Sequence, residues 1–152
     1  MIRTAKADEN EELSNLAMRS KAHWNYEADF LEACRQDLTY TQQDISHHTV
    51  YVVEEMGQVV GFYRLEIREN GLELSDLFIE PSKIGQGYGK RLWDHAIDQA
   101  RQLGFHKLSI PSDPYAESFY LSRGSVRIGE VTSGAIPGRT IPLLEFALKQ
   151  SD

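Results

Sequence analysis

The 152-residue sequence has little cysteine, no long apolar run and no surplus of positive charge. Cys34 is the only cysteine, which excludes an internal disulfide and a metal site built from several cysteines. No segment approaches the roughly 20 apolar residues of a membrane span, and the first residues lack the basic and apolar regions of a signal peptide. The sequence therefore predicts a cytoplasmic protein with no metal site and no affinity for membranes.

The charge balance narrows the range of partners. There are 16 Lys and Arg residues against 23 Asp and Glu residues, which gives a formal net charge of −7. This excess of acid opposes binding to nucleic acid, so we expect no nucleic-acid partner and a preference for a cationic substrate. The length and the 41% hydrophobic content predict one domain over residues 1–152.

The hydrophobic periodicity predicts a mixed α/β fold. Asn70-Gly71 between two alternating runs is typical of a β-hairpin, so the middle of the chain should form an antiparallel meander. Asp8 and Glu11 resemble a helix-capping box, while residues 39–49 show no clear pattern. The predicted strands cover residues 2–5, 49–55, 58–68, 72–79, 107–110, 126–132 and 140–148. The first predicted helix begins near Asp8, and three further helices cover residues 26–38, 87–103 and 116–123. This order fits a mixed, mostly antiparallel sheet with helices on both faces.

A glycine-rich turn stands between a buried strand and a helix. Gly85, Gly87 and Gly89 lack Cβ atoms, so a bulky ligand can approach the backbone, and the following helix N-terminus suits a pyrophosphate. A Walker loop is excluded because Gly85 stands only four residues before Gly89. A dinucleotide fingerprint is excluded because its third glycine would have to be Lys90. A plain structural turn remains the alternative interpretation.

Two segments resemble motifs of the GNAT superfamily of acyl-CoA-dependent N-acetyltransferases. Residues 79–89, IEPSKIGQGYG, resemble the family pattern V-x-P-x-x-[R/Q]-G-x-G-x-[G/A]. Residues 113–125, DPYAESFYLSRGS, resemble N-x-x-A-x-x-F-Y-x-x-x-G-F. Ile84, Asp113 and Ser125 depart from the usual Arg or Gln, Asn and Phe.

The resemblance implies a GNAT-type fold and acetyl-CoA as the acyl-donor cosubstrate, without a metal. It assigns cofactor binding to the end of the strand, to the glycine turn and to the second motif. These residues are Leu77, Phe78, Ile79, Ile84, Gly85, Gln86, Gly87, Tyr88, Gly89, Lys90, Asp113 and Tyr120.

Acyl transfer to an amine needs a base and a proton donor for the leaving thiolate. Glu73 and Asp76 lie on the strand before the glycine turn, where alternation places them on opposite faces unless a bulge intervenes. We expect Glu73 to be the base, with Asp76 as an amine-binding or structural alternative. The resemblance implies that Tyr120 protonates the thiolate, against the alternative of a core aromatic. Trp24 and Tyr26 are expected to shape the substrate pocket, although simple packing of Trp24 is equally compatible.

The sequence therefore predicts an N-acetyltransferase that moves an acetyl group from acetyl-CoA to a primary amine by direct transfer. A non-catalytic acyl-CoA sensor or partner-binding domain with the same fold is the alternative. Small polyamines, amino acids, aminoglycosides and protein amines all remain open as acceptors. Similar enzymes are often dimers, so a homodimer is possible.

Overall fold

A seven-stranded sheet forms the centre of the protein in a computed structural model that describes residues 1–134 and 136–148. The strand order is β1-β2-β3-β4-β5-β7-β6, and only the β4/β5 pair is parallel. The strands are β1 (Ile2–Thr4), β2 (Thr49–Glu55), β3 (Gln58–Arg68), β4 (Gly71–Ile79), β5 (Lys107–Pro111), β6 (Val126–Thr132) and β7 (Thr140–Ala147).

Helices cover both faces of the sheet. They are α1 (Asn10–Ala22), α2 (Ala28–Cys34), α3 (Gln42–His47), α4 (Tyr88–Gln102) and α5 (Glu117–Ser122). Phe62 and Tyr63 are neighbours on β3 and both are buried, because successive strand side chains point to opposite faces. Phe62 packs in a core with α1, α2 and α3, while Tyr63 packs in a second core with α4 and α5. The mixed, mostly antiparallel α/β fold predicted from the sequence is confirmed.

The predicted boundaries of the first two helices are wrong. Asp8 lies in a short 3-10 turn, Ala7–Glu9, and the Glu9 carboxylate accepts a hydrogen bond from the Lys6 N–H at 2.8 Å. The capping pair of Asp8 and Glu11 therefore does not form, and α1 begins at Asn10. The second helix is shorter than residues 26–38, because the chain turns after Cys34 and buries Leu38.

The unassigned stretch of residues 39–49 contains α3. The Thr41 hydroxyl accepts a hydrogen bond from the Asp44 N–H at 3.0 Å, and the Asp44 carboxylate accepts one from the Thr41 N–H at 2.9 Å. This reciprocal cap is visible in the sequence as Thr-x-x-Asp. Only Ile45 is buried, so the helix leaves no apolar period to recognise.

The parallel strands β4 and β5 pair over two positions only. Leu72 is opposite Leu108 and Glu73 is opposite Ser109, and both strands then continue without pairing to each other. This separation opens a gap in the middle of the sheet, at the carboxyl ends of the two strands. Among the described residues, no helix combines the length and the apolar character needed to cross a membrane.

Candidate active site

A cavity of about 550 Å³ fills the gap between β4 and β5. Its wall combines the second half of β4, the glycine turn, the residues after β5, one side of α5 and the end of α1. The lining includes ten of the twelve residues predicted to bind the cofactor: Leu77, Phe78, Ile79, Ile84, Gly85, Gly87, Gly89, Lys90, Asp113 and Tyr120.

The edge of β4 presents free backbone amides to this cavity. The Glu80 N–H donates to the Val60 carbonyl, which identifies the hydrogen-bonded positions of the antiparallel β3/β4 pair. Because these positions alternate, the N–H groups of Leu77 and Ile79 point away from β3 and into the gap. The strand therefore offers two hydrogen-bond donors to a ligand that lies along it.

The glycine turn has the backbone geometry of a phosphate cradle. Gly85 and Gly87 have φ angles of 85° and 90°, and a Cβ atom on either would meet no atom of the described residues within 4 Å apart from its immediate chain neighbours. Gly87 is the N-cap of α4, so the unpaired N–H groups and the positive dipole end of this 15-residue helix start at the turn. The turn therefore leaves room, donors and a favourable field for a pyrophosphate.

The side chains of Gln86 and Tyr88 do not line the cavity. The Gln86 amide donates to the Ser82 carbonyl at 3.3 Å, and the Tyr88 ring contacts the Arg91 guanidinium, whose carbon lies 5.5 Å from the ring centre. The backbone of these two residues nevertheless belongs to the turn and to the start of α4.

Three cationic side chains border the cavity beside the turn. Lys83, Lys90 and Arg123 all line it. Within the described ranges, Lys83 and Arg123 form no ion pair, and Lys90 is 3.6 Å from Asp94. Sequence reasoning missed Arg123, which stands directly before Gly124 in the second motif. The cavity is therefore locally positive in a protein of net charge −7.

A β-bulge at Ser75 changes the expected orientation of the two β4 carboxylates. Leu74 is opposite Leu65, but Asp76 is opposite Arg64, so Ser75 is the extra residue. The bulge places Glu73 and Asp76 on the same face of the sheet, which corrects the simple alternation.

Only one of these carboxylates reaches the cavity. Asp76 lines it and accepts a hydrogen bond from Arg64 at 2.7 Å. Glu73 lies outside the lining and instead bonds Ser75 at 2.7 Å and Arg68 at 3.3 Å. Burial raises the pKa of Asp76, against the opposing effect of Arg64. The geometry thus favours Asp76 over Glu73 as the carboxylate available to a substrate.

Tyr120 combines deep burial with a hydroxyl that is free to act. Its ring packs against Trp93 and Phe119, with centroids 5.7 and 5.3 Å away. Burial, reinforced by the negative charges of Asp76 and Asp113, raises the pKa of its phenol. Across the described part of the chain, no protein group forms a hydrogen bond with this hydroxyl. Tyr120 is therefore a protonated donor at the cavity wall.

Asp113 is occupied by protein partners. It forms an ion pair with Lys21 of α1, and it accepts hydrogen bonds from the Tyr26 hydroxyl and the Tyr115 N–H, each at 2.9 Å. Burial acts to raise the pKa of Asp113, but the charge and hydrogen bond of Lys21, together with the hydrogen bonds from the Tyr115 N–H and the Tyr26 hydroxyl, outweigh it, and the net shift is downward. Lys21 was not predicted from the sequence, because it lies 92 residues from its partner.

The predicted substrate residues lie on the same side as Lys21. Trp24 lines the cavity and stacks on Tyr115 with ring centres 5.1 Å apart. Tyr26 is outside the lining, but its ring contacts Tyr115 edge-on at 5.2 Å. An aromatic group therefore borders the cavity between α1 and the turn after β5.

The match to a family model follows this geometry. The model of the acetyltransferase (GNAT) domain matches residues 6–135, which is most of the chain. The protein therefore belongs to the GNAT acetyltransferase family.

Two curated proteins are similar over part of their length. The mycothiol acetyltransferase of Amycolatopsis mediterranei (strain U-32) is 32% identical over 90 residues, which cover 58% of this chain and 29% of that protein. An N-acetyltransferase of Lactobacillus delbrueckii subsp. lactis is 28% identical over 91 residues, which cover 53% of each. The chain thus spans about half or less of these relatives.

Solved structures with the same fold cover nearly the whole chain. The PaiA N-acetyltransferase of Thermoplasma acidophilum, in complex with coenzyme A, has a TM-score of 0.80 at 19% identity over 97% of this chain and 98% of that one. A GCN5-related N-acetyltransferase of Rhodopseudomonas palustris has a TM-score of 0.85 at 19% identity, over 97% and 95% of the two chains. At this level of identity the likeness establishes the fold.

Proposed function

We propose that the protein transfers an acetyl group from acetyl-CoA to a primary amine, by direct attack of the amine on the thioester. The observation that carries this proposal is one cavity that holds three features together. The glycine turn at the start of α4, the free amides of Leu77 and Ile79, and the Tyr120 hydroxyl all face it.

The residues present fit acetyl-CoA. The backbone N–H groups around Gly85 and Gly87 hold the pyrophosphate, with Lys83 and Lys90 beside them. This use of backbone donors explains how the site tolerates Ile84 where the family usually has Arg or Gln. The amides of Leu77 and Ile79 bind the pantetheine arm and orient the thioester oxygen.

Two side chains, those of Asp76 and Tyr120, transfer protons in the proposed reaction. When bound, acetyl-CoA supplies the thioester whose acyl group the amine accepts. Asp76 takes a proton from the ammonium form of the acceptor, directly or through water, because its raised pKa makes it a better base than an exposed aspartate. Tyr120 donates its proton to the sulfur that leaves, and the second proton that the nitrogen loses as the amide forms restores the Tyr120 phenol.

A non-catalytic acyl-CoA sensor is the second candidate. It is favoured by the engagement of both cavity carboxylates in ion pairs, Asp76 with Arg64 and Asp113 with Lys21. A sensor would bind acetyl-CoA by the same turn without releasing coenzyme A in the presence of any amine.

The test combines binding with turnover. Calorimetry with acetyl-CoA measures the affinity, and a thiol-release assay over amino acids, polyamines, aminoglycosides and peptides measures transfer. Tyr120→Phe should lower kcat by about 100-fold, since positioned proton donors contribute 10²–10⁴-fold, with an unchanged Kd for acetyl-CoA.

Tyr51→Phe is the matched control, because the Tyr51 hydroxyl bonds Gln99 at 3.3 Å and does not line the cavity. It should keep the full rate. Binding without thiol release in the wild-type protein would support the sensor, and an unaltered rate in Tyr120→Phe would make Tyr120 a packing residue.

A further inference from the structure

The gap between β4 and β5 opens on both faces of the sheet. The glycine turn, α4 and α5 border it on one face, where Tyr120 and Phe119 belong to the core around α4. The end of α1 borders it on the other face, where Phe30 of α2 belongs to the second core. A donor held at the start of α4 leaves the α1 side for the amine. We call this side the acceptor face. Its cavity-lining residues are Lys21, Trp24, Asp113 and Tyr115, and it also includes Tyr26, Phe30 and Arg139, which lie outside the lining but contact this group.

We infer that the acceptor is an amine that carries a carboxylate, and that Arg139 binds this carboxylate. The inference rests on the proposed transfer reaction and deepens it. It also contradicts the expectation of a cationic substrate. That expectation came from the net charge of the whole chain, whereas the acceptor meets only the charged groups at the site.

The Lys21 ammonium already occupies the position on the acceptor face, beside Asp113 and the aromatic rings, where a cationic group of the acceptor could bind. Its ammonium is ion-paired with Asp113 and lies 5.1 Å from the centre of the Tyr26 ring and 5.6 Å from that of Phe30. The Lys21 side chain is 14% exposed, so the pair is largely shielded from water. An acceptor ammonium would have to displace this lysine to reach Asp113 or the two rings.

Arg139 is a cation without an acidic partner. Its guanidinium lies 4.7 Å from the centre of the Phe30 ring and donates to the Tyr26 hydroxyl at 3.5 Å. In residues 1–134 and 136–148, no carboxylate forms an ion pair with it. The exposed Asp37 lies beside Gly134 of the same loop, yet it does not form an ion pair with Arg139 either.

The remaining carboxylate of the cavity is also matched, since Asp76 binds Arg64. A second positive charge on the acceptor would therefore meet no free anion, whereas a carboxylate would meet a guanidinium with unused donors. Arg binds carboxylates through two parallel N–H donors, so this contact also fixes the orientation of the acceptor.

Matched pairs of amines test the inference. Each α-amino acid is compared with the amine that lacks only its carboxylate: phenylalanine with phenethylamine, leucine with isoamylamine, and ornithine with putrescine. The dipeptide Ala-Ala is compared with its C-terminal amide for the same reason. We expect kcat/KM to be at least about tenfold higher for the acid in the pairs that react, which corresponds to about 1.4 kcal/mol.

Arg139→Gln should lower kcat/KM for the acids by about tenfold or more and leave the decarboxylated amines unchanged. Arg127→Gln is the control, because Arg127 bonds Glu130 at 3.0 Å and, within the described residues, forms no hydrogen bond, ion pair or ring contact with the acceptor face. The Kd for acetyl-CoA should be the same in all three proteins, which verifies that each is folded.

The outcomes distinguish a failure of the proposed transfer reaction from a failure of the inference about the acceptor. No thiol release with any amine overturns the proposed reaction and the inference with it. Turnover that favours the amine without a carboxylate, or an equal loss for both members of a pair in Arg139→Gln, overturns the inference and leaves the reaction intact.

Discussion

At the scale of single residues, the role of each acidic side chain is set by its partners. Asp76 is buried beside Arg64, and its pKa is raised, whereas Asp113 is held by Lys21, and its pKa is lowered. Asp76 therefore suits proton transfer, while Asp113 suits a permanent charge that orders the site.

The β4 carboxylates give the first prediction at this scale. Asp76→Asn should lower kcat/KM by about 100-fold, because it removes the only β4 carboxylate that lines the cavity. Glu73→Gln is a matched control three residues away, and its kcat/KM should change less than about threefold. The dependence of kcat/KM on pH also reports the mechanism. The wild-type rate should fall as the pH drops through the raised pKa of Asp76, and the rate of the Asp76→Asn variant should not show this decrease. Equal losses in both variants would contradict the assignment.

The sequence marked Glu73 and Asp76 and favoured Glu73 as the base, whereas the geometry favours Asp76. Their orientation depends on the bulge at Ser75, which is set by the register of β4 on β3. The pairing of Asp113 with Lys21 was equally hidden, since it joins residues 92 positions apart. By contrast, Tyr120 could be marked as a candidate from the sequence, because it lies within the second motif, and it lines the cavity.

At the scale of elements, the glycine turn was predictable because it depends on local backbone chemistry. Three alternate glycines before a helix limit the possible structures, and two of them do adopt positive φ angles. Helix α3 was missed because one buried residue, Ile45, gives no helical period. The gap between β4 and β5 lies beyond local patterns, since it depends on where two distant strands stop pairing.

The second prediction concerns the backbone of the turn. Gly87→Val should weaken acetyl-CoA binding by at least about tenfold, because a β-branched residue is strained at a φ of 90° and shifts the N–H groups that hold the phosphates. No protein atom lies within 4 Å of the new Cβ, so the variant should fold. Calorimetry measures the affinity.

Gly104→Val is the control for this prediction. Gly104 follows α4 at its other end, has a φ of 86° and also has open space at the Cβ position. Both variants should lose a similar 1–3 kcal/mol of stability, roughly the cost of an unfavourable φ, but only Gly87→Val should lose affinity. An unchanged Kd in Gly87→Val would contradict the phosphate cradle.

At the scale of the whole molecule, the sheet consists of two parts that share few backbone contacts. In the part of the chain that the structure describes, strands β1–β4 and β5–β7 pair only where Leu72 and Glu73 lie opposite Leu108 and Ser109. The ion pair between Lys21 and Asp113 crosses the gap beside the cavity, from α1 to the turn after β5. The pair therefore ties the two parts together at the place where the substrates are proposed to meet.

This arrangement makes the stability depend on pH in a defined direction. Because the pKa of Asp113 is lower in the folded protein than its ordinary value near 3.9, the stabilisation is fully present above that value. It is lost as the pH falls through the lower, folded pKa. At pH 7, Asp113→Asn should reduce the free energy of unfolding by about 1–3 kcal/mol, since it leaves the partly buried Lys21 ammonium without its counter-ion. Urea denaturation at steps from pH 7 to pH 2 should show this difference constant down to about pH 4 and shrinking below it. Asp98→Asn, which removes an exposed carboxylate 3.8 Å from Arg101, should stay within about 0.5 kcal/mol of the wild type at every pH. A difference for Asp113→Asn that is constant across the range would show that the pair contributes through packing and not through its charge.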